Sequence, residues 1–284
     1  MIEGNEIRNL FNEKATTGLA SFKQSGKLNE DGIRRLVQTL NDFMLIINNF
    51  EEIEETHAFA TASIRNIANT EQVIKRVRRD VGLEIEIISG EEEAKLAYLG
   101  ASACVRSSNR GVLTDIGGGS SEVVLFQDGR ILDSASIDMG SLSVYQEYVK
   151  GLFLTSSERH KMDVRLKFLL SAQGMDRNNF GILCAVGGSA RATLKLYNIY
   201  YDEHPENLVM KTDDLKTIMK ALLEMDNKEK MNIILNTKAD RIHTFLPGMC
   251  LLYRIAKYFH TEEISVSQTG VREGYVYNRI VRRD

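Results

Sequence analysis

The first third of the chain alternates between helical and strand patterns of apolar residues. Apolar positions recur every three to four residues over 29–49, which predicts an amphipathic helix. A short apolar run at 57–61 and strict alternation at 83–88 predict strands, and 70–80 between them predicts a helix that stops at Gly82. This succession of helices and strands favours an α/β layer.

The remainder repeats the mixture around two glycine-rich turns. Gly117, Gly118 and Gly119 follow one predicted strand and lead into another, whereas Gly187 and Gly188 follow a strand and lead into a helix. The other clear patterns are helices at 91–103, 213–236 and 246–259, strands at 111–116, 182–186 and 263–267, and a last helix after Gly270.

Composition indicates an ordinary globular protein. The 284 residues are 43% hydrophobic and 26% charged, which suggests two domains, here placed at 1–100 and 101–284. The formal net charge of -3 gives no general attraction for nucleic acid, so we expect no DNA partner. No apolar stretch reaches the roughly 18 residues of a membrane span, and we expect a cytoplasmic protein whose three cysteines are buried thiols.

The first glycine turn is a candidate phosphate loop. Glycines at 117–119, followed by Ser120, let backbone N–H groups surround an anion. Asp115 precedes the turn and Glu122 follows it, so two carboxylates could hold Mg²⁺ beside that anion. The alternative is a simple hairpin with two solvated acids. A dinucleotide fingerprint is excluded because Glu122 takes its sixth position and a strand follows.

The second glycine turn is a further candidate anion site, and one glutamate is a candidate catalytic residue. Gly187, Gly188 and Ser189 open a helix whose N-terminus can bind an anion, although Ser189 could instead serve as a helix cap. Ser89 and Glu92 have the spacing of a capping box, which leaves Glu93 to project elsewhere.

Six motifs, in order, resemble those of the exopolyphosphatase and guanosine pentaphosphate phosphohydrolase (Ppx/GppA) family. They are ATASIR at 60–65, ISGEEEA at 88–94, TDIGGGSSE at 114–122, VGGSA at 186–190, ADR with LPG at 239–241 and 246–248, and GVREG at 270–274. The resemblance implies a two-domain α/β fold of the actin/Hsp70/sugar-kinase-like (ribonuclease H-like) type, with a phosphate site in the cleft. It also allows the last helix to return to the first domain.

The resemblance also implies roles for particular residues. Glu93 matches the proposed general base, and Asp115 with Glu122 match the acids that bind Mg²⁺ or orient water. The phosphate-binding positions that it implies are Arg65, Gly117, Gly118, Gly119, Ser120, Gly187, Gly188 and Ser189.

One family motif is missing from the sequence. Members open with a strand and a D-[IL]-G-[ST]-N-S loop, which does not occur before Gly26, and residues 1–6 resemble the middle of the hairpin that follows it. We therefore expect a first domain that is truncated at its N-terminus, with weak activity and a tendency to self-associate, for example as a homodimer.

The resemblance favours release of orthophosphate from inorganic polyphosphate with Mg²⁺. Hydrolysis of guanosine pentaphosphate is the second candidate, and it requires a base pocket that the sequence does not locate. A non-catalytic polyphosphate or nucleotide sensor is the third. The family motifs argue against a small-acid kinase.

Overall fold

The computed structural model contains two compact units, an N-terminal unit of Met1–Gly90 and a C-terminal unit of Glu91–Asp284. The residues that the structure describes are 2–3, 6–15, 17–106, 108–175 and 179–281. The domain boundary that the sequence suggested, residue 100, lies at the end of the helix with which the C-terminal unit begins.

The N-terminal unit combines short strand pairs with three helices. Its elements are β1 (Ile2–Glu3), β2 (Glu6–Ile7), β3 (Lys23–Gln24), β4 (Lys27–Leu28), α1 (Glu30–Ile47), β5 (Ala58–Ala60), α2 (Ala62–Arg65), α3 (Thr70–Val81) and β6 (Ile85–Ile87). Strands β5 and β6 are parallel, while β1–β2 and β3–β4 are antiparallel pairs. The predicted strands at 57–61 and 83–88 are thus present in shortened form.

Local sequence explains where the two long helices of this unit begin and end. The side chain of Asn29 accepts a hydrogen bond from the Gly32 N–H group and caps α1. Helix α3 ends at Gly82, whose φ of 79° suits glycine. The two helices pack together over a small core that includes Ile33 and Val73.

The sequence of residues 1–6 resembles part of a β-hairpin, and the structure can be compared with that prediction. Strands β1 and β2 pair with Ile2 opposite Ile7 and Glu3 opposite Glu6, so this part of the chain does enter an antiparallel pair. Met1, Gly4 and Asn5 lie outside the described residues.

The C-terminal unit is built on one six-stranded mixed sheet. Its elements are α4 (Gly90–Gly100), α5 (Ser102–Arg106), β7 (Arg110–Ile116), β8 (Ser121–Gln127), β9 (Arg130–Ile137), α6 (Ser141–Tyr148), α7 (Ser156–Ala172), β10 (Ile182–Val186), α8 (Gly187–Tyr201), β11 (Val209–Lys211), α9 (Thr212–Glu224), α10 (Asn227–Lys238), α11 (Phe245–Tyr258), β12 (Glu263–Val266) and α12 (Val271–Arg279). The strand order is β11-β12-β10-β7-β8-β9, and β12, β10 and β7 are parallel to one another.

Both faces of this sheet are covered, as a parallel centre requires. The larger core contains Val112, Leu183 and Ala185 together with buried residues of α6 to α11. The opposite face places Leu113, Cys184 and Val186 against residues of α4 and α5. Alternate residues of β10 therefore serve two different cores.

Two helical predictions were wrong in detail. The pattern at 91–103 predicted one helix, but α4 ends at Gly100 and α5 begins at Ser102. Gly100 lies directly against the Gly270 carbonyl, where any larger residue would collide. The pattern at 213–236 is divided into α9 and α10, because Asp226 caps a new helix.

No helix within the described ranges is long and apolar enough to cross a membrane.

Candidate active site

The two glycine turns lie side by side at one edge of the sheet. Strands β7 and β10 are parallel neighbours, and Val186 pairs with Asp115 at their carboxyl ends. Gly117 follows one strand end and Gly187 the other. The carboxyl edge of parallel strands is where open α/β sheets bind ligands, so the pairing makes one candidate site out of two separate sequence motifs.

The carbonyl groups of Gly117 and Gly118 in the first turn accept hydrogen bonds from residues at the start of α6. The Ser141 N–H group donates to the Gly117 carbonyl at 2.9 Å, and those of Leu142 and Ser143 donate to the Gly118 carbonyl at 2.8 and 3.0 Å. Within the described part of the chain, the N–H groups of Gly118 and Gly119 donate to no backbone carbonyl. They are thus available to an anion.

The second turn is itself the start of a helix. Helix α8 begins at Gly187, and the residue before it, Val186, has no side chain that could cap the first turn. Ser189 is therefore not the helix cap; instead its hydroxyl donates to the Ile116 carbonyl at 3.2 Å and links the two turns. The uncapped N–H groups of the first turn of α8 form a ready site for phosphate.

Arg241 packs its guanidinium directly over Gly188. A Cβ atom at Gly188 would lie 2.8 Å from Cζ of Arg241. Nη1 of Arg241 donates to the Ser189 hydroxyl at 3.5 Å, while its buried Nε has no protein partner among the described residues. Burial lowers the pKa of this guanidinium; the charge of Asp240 opposes the shift, and the smaller effect of Arg191 adds to it. An anion at the second turn would meet both arginines.

Two carboxylates face each other beside the first turn. Asp115 on β7 and Glu122 on β8 are direct partners in the antiparallel ladder, so their side chains lie on one face of the sheet. The hydroxyl groups of Ser120 and Ser136 both donate to Oε1 of Glu122, each at 2.8 Å. Glu122 is 1% exposed, and its orientation is fixed by these two bonds.

Glu93 brings a third negative charge to the same place. Burial and the charge of Glu93 raise the pKa of Asp115 to about 6, against the opposing effect of Arg191. Burial and the charges of Glu93 and Asp115 raise the pKa of Glu122 to about 8, although its serine partners oppose the shift. Three crowded carboxylates favour a cation or a shared proton among them.

Glu93 is held in position by the helix on which it lies. It is 7% exposed on α4. Glu92 forms an ion pair with Arg279 of α12, and Gly274 of α12 lies directly against the Leu96 carbonyl of α4. The last helix of the chain thus packs on α4, within the C-terminal unit.

The donor set fits Mg²⁺ in its chemistry. Carboxylate oxygens are the ligands that Mg²⁺ prefers, and it commonly takes one or two of them together with water and phosphate oxygens. Only one oxygen of Glu122 carries serine hydrogen bonds. No group of three or more Asp, Glu, His or Cys side chains in the described ranges is arranged as a metal cage. Asp115 and Glu122 could therefore contribute two ligands, with the substrate supplying others.

Arg65 is the one predicted site residue that belongs to the N-terminal unit. It is half-buried there and donates from Nη1 to the Ile88 carbonyl at 2.9 Å. The other ten predicted positions all lie at or next to the two turns of the C-terminal unit. A role for Arg65 in phosphate binding stays a prediction.

The sequence interpretation missed both arginines of the site. Arg191 lies one helical turn after Gly187, and that spacing was a usable signal. Arg241 is part of the ADR motif, but nothing local shows that it reaches Gly188. Ser136, the second partner of Glu122, carried no sequence signal.

An α/β unit that presents backbone amides, arginines and carboxylates at one sheet edge is suited to a phosphorylated substrate. The chain belongs to the Ppx/GppA phosphatase family, whose model matches residues 2–283. A Haemophilus influenzae protein provisionally named exopolyphosphatase is 24% identical over 90% of this chain and 78% of its own length. A Vibrio cholerae guanosine-5'-triphosphate,3'-diphosphate pyrophosphatase is 25% identical over 80% of this chain and only 45% of its own length. The chain thus spans less than half of the second relative.

Solved structures show the same fold. An exopolyphosphatase from Cytophaga hutchinsonii has a TM-score of 0.82 at 23% identity, covering 95% of this chain and 88% of that one. An Aquifex aeolicus Ppx/GppA family member has a TM-score of 0.75 at 24% identity, covering 94% and 88%. The expected actin-like ATPase fold is thereby confirmed.

Proposed function

We propose that this chain removes the terminal phosphate of inorganic polyphosphate by hydrolysis and releases orthophosphate. The observation that carries the proposal is the juxtaposition of two amide-lined turns with three carboxylates at the ends of β7 and β10. Hydrolysis of a polyanion requires both a place for phosphate charge and a group that accepts a proton from water.

The two turns and the arginines would bind the substrate. The N–H groups of Gly118 and Gly119 and the N-terminus of α8 would hold phosphate oxygens, and Arg241 would donate from the side of Gly188. These donors are fixed by the fold before substrate arrives, so little reorganisation is needed when charge develops.

Glu93 would act as the general base. Its carboxylate would accept a proton from the attacking water as the new P–O bond forms and the bridging P–O bond of the anhydride breaks. The leaving phosphate departs with the bonding electron pair. Asp115 and Glu122 would hold Mg²⁺, which when bound neutralises phosphate charge.

Guanosine pentaphosphate is a second candidate substrate, and one surface feature favours it. A groove of about 640 Å³ follows α8 away from the second turn. It is lined by basic Arg191 and Lys195, by apolar Leu194, Ile199 and Leu208, and by the carboxylates of Asp202 and Glu203. Arg191 lies in the part of α8 nearer the second turn, the near end, whereas Asp202 directly follows the last residue of α8, at the far end. Phosphates suit the near end, whereas the N–H donors of guanine suit the far carboxylates.

A substrate panel decides between the two. Orthophosphate release is measured with Mg²⁺ on polyphosphate and on guanosine pentaphosphate, for the wild type and for the double variant Asp202→Asn, Glu203→Gln. We expect turnover of polyphosphate that this variant leaves unchanged. Turnover of guanosine pentaphosphate only, reduced in the variant, would favour the second candidate. Binding of either compound without turnover would contradict the proposed hydrolysis and favour a non-catalytic sensor.

A further inference from the structure

Two of the three cysteines lie beside the same residue, Ser265, although they are far apart in the sequence. Cys184 occupies the middle of β10 and is fully buried, whereas Cys104 on the short helix α5 is 8% exposed. The Cys104 thiol donates to the Ser265 carbonyl at 3.5 Å, and Ser265 is the partner of Cys184 across β10 and β12.

The third cysteine is excluded from this pair. Cys250 on α11 is 1% exposed and belongs to the larger core, on the opposite face of the sheet. Cys104 and Cys184 belong to the smaller core. The sheet therefore separates Cys250 from the other two thiols.

We propose that Cys104 and Cys184 form a reversible disulfide when the folded protein is exposed to hydrogen peroxide. Cys104 is the more accessible of the two, at 8% exposed against 0% for Cys184, and it lies on the five-residue helix α5, so local opening of this helix brings peroxide to Cys104 first. Cys184 is the resolving thiol, since burial prevents it from reacting first.

The opposite pKa shifts of the two neighbouring thiols favour this division of roles. The neighbouring Cys184 thiol lowers the pKa of the Cys104 thiol, although burial opposes that shift. The Cys104 thiol and burial raise the pKa of Cys184. The thiolate is the form that attacks peroxide.

The reaction balances in two steps. The Cys104 thiolate attacks one peroxide oxygen, an S–O bond forms as the O–O bond breaks, and hydroxide leaves with a sulfenic acid remaining on Cys104. The Cys184 sulfur then attacks the sulfenic sulfur, an S–S bond forms as the S–O bond breaks, and the Cys184 proton leaves with the oxygen as water. Two thiols lose two hydrogen atoms, and peroxide is reduced to water.

The disulfide would link the segment next to Glu93, the proposed general base, to the strand that leads into the second glycine turn. Helix α5 directly follows α4, which carries Glu93, and β10 leads directly into Gly187. A long loop would be closed between Cys104 and Cys184, so the oxidised protein should unfold at a higher temperature. This inference is independent of which phosphorylated compound the chain hydrolyses.

The test is a peptide map of the folded wild-type chain. The protein is treated with hydrogen peroxide, capped with N-ethylmaleimide and digested without reductant, and a portion is first returned to dithiothreitol. We expect a linked peptide containing Cys104 and Cys184 that dithiothreitol abolishes. Its formation should raise the melting temperature on the order of 5 °C. Cys250→Ala should keep both results, and Cys104→Ala should lose both.

Other outcomes would overturn the proposal. They are absence of the linked peptide in the wild type, linkage of either thiol to Cys250, and linkage that appears only after urea unfolds the protein. The wild-type map decides the matter even if Cys104→Ala fails to fold.

Discussion

Asp115 places its Oδ1 atom where a side chain on Gly187 would have to stand. Gly187 also has a φ of 88°, a conformation that residues with a Cβ atom rarely adopt. The carboxylate beside the first turn and the backbone of the second turn therefore fit together only because position 187 is glycine. The two anion-binding turns form one unit through this contact.

Substituting Gly187→Ala should disrupt the site more than it disrupts the fold. The new methyl group would displace Asp115, and we expect phosphate release to fall by at least ~100-fold with a stability loss of about 1–3 kcal/mol. Gly129→Ala is the matched control, because Gly129 has a φ of 74° but open space around its Cβ position. It should lose about 1 kcal/mol and keep full activity. Equal activity in the two variants would contradict the claim that position 187 must be glycine to leave room for Asp115.

Arg241 should act on substrate affinity. Its guanidinium lies over Gly188 with a buried Nε that has no protein partner within the described ranges. Arg241→Gln should lower kcat/KM for polyphosphate by about 10- to 100-fold, mainly through KM, since it removes a charged donor from a preformed site. The check is steady-state kinetics.

Lys238→Gln is the control for Arg241. Lys238 lies in the same segment, is 47% exposed and pairs with Asp240 at 3.3 Å. It should leave kcat/KM within about twofold, because an exposed pair contributes little. If both variants weakened binding equally, the effect would be one of general charge.

The short-range sequence pattern predicts each glycine turn of the site. It does not predict that the two turns lie side by side. Each glycine turn is flanked by its own strand, so the short-range pattern located both. The pairing of Val186 with Asp115 is a long-range contact, and no residue near either turn encodes it. The same limit applies to Arg241, which lies in the short 3-10 turn at 239–241 between α10 and α11 and reaches Gly188, more than 50 residues earlier in the chain.

The helix errors have a comparable cause. Residues 91–103 are all compatible with a helix, but α4 ends at Gly100, which packs against the Gly270 carbonyl and whose own carbonyl accepts a hydrogen bond from the Thr269 hydroxyl at 2.7 Å. Strand β11 was missed as well, because Val209–Lys211 is a three-residue strand at the edge of the sheet, where it pairs with β12. Tertiary packing, rather than local propensity, decides both places.

Stability should depend on Glu158 in a pH-dependent way. Its carboxylate accepts hydrogen bonds from the N–H groups of Thr155 and Lys150 at the start of α7. Burial opposes ionisation, but these bonds outweigh it and hold the pKa below 4.5. Because the folded pKa is lowered, the stabilisation is present above pH 4.5 and is lost as the pH falls through the folded pKa.

Glu158→Ala should therefore lower the free energy of unfolding by about 1–3 kcal/mol at pH 7. The difference from the wild type should shrink in acid, as measured by urea unfolding across pH. Glu229→Ala is the control, because Glu229 has the corresponding place in the capping box of α10 but is exposed. A constant loss at all pH values would mean that packing, not charge, stabilises α7.

The most direct test of the proposed hydrolysis is the turnover of Glu93→Gln on polyphosphate with Mg²⁺. We predict a loss in kcat of about 100- to 10,000-fold with polyphosphate binding retained, since the amide cannot accept the proton. Glu91→Gln is the control, because Glu91 lies two residues away and is exposed, paired with Lys95 at 2.7 Å; it should keep full activity. Undiminished turnover in Glu93→Gln would contradict the account.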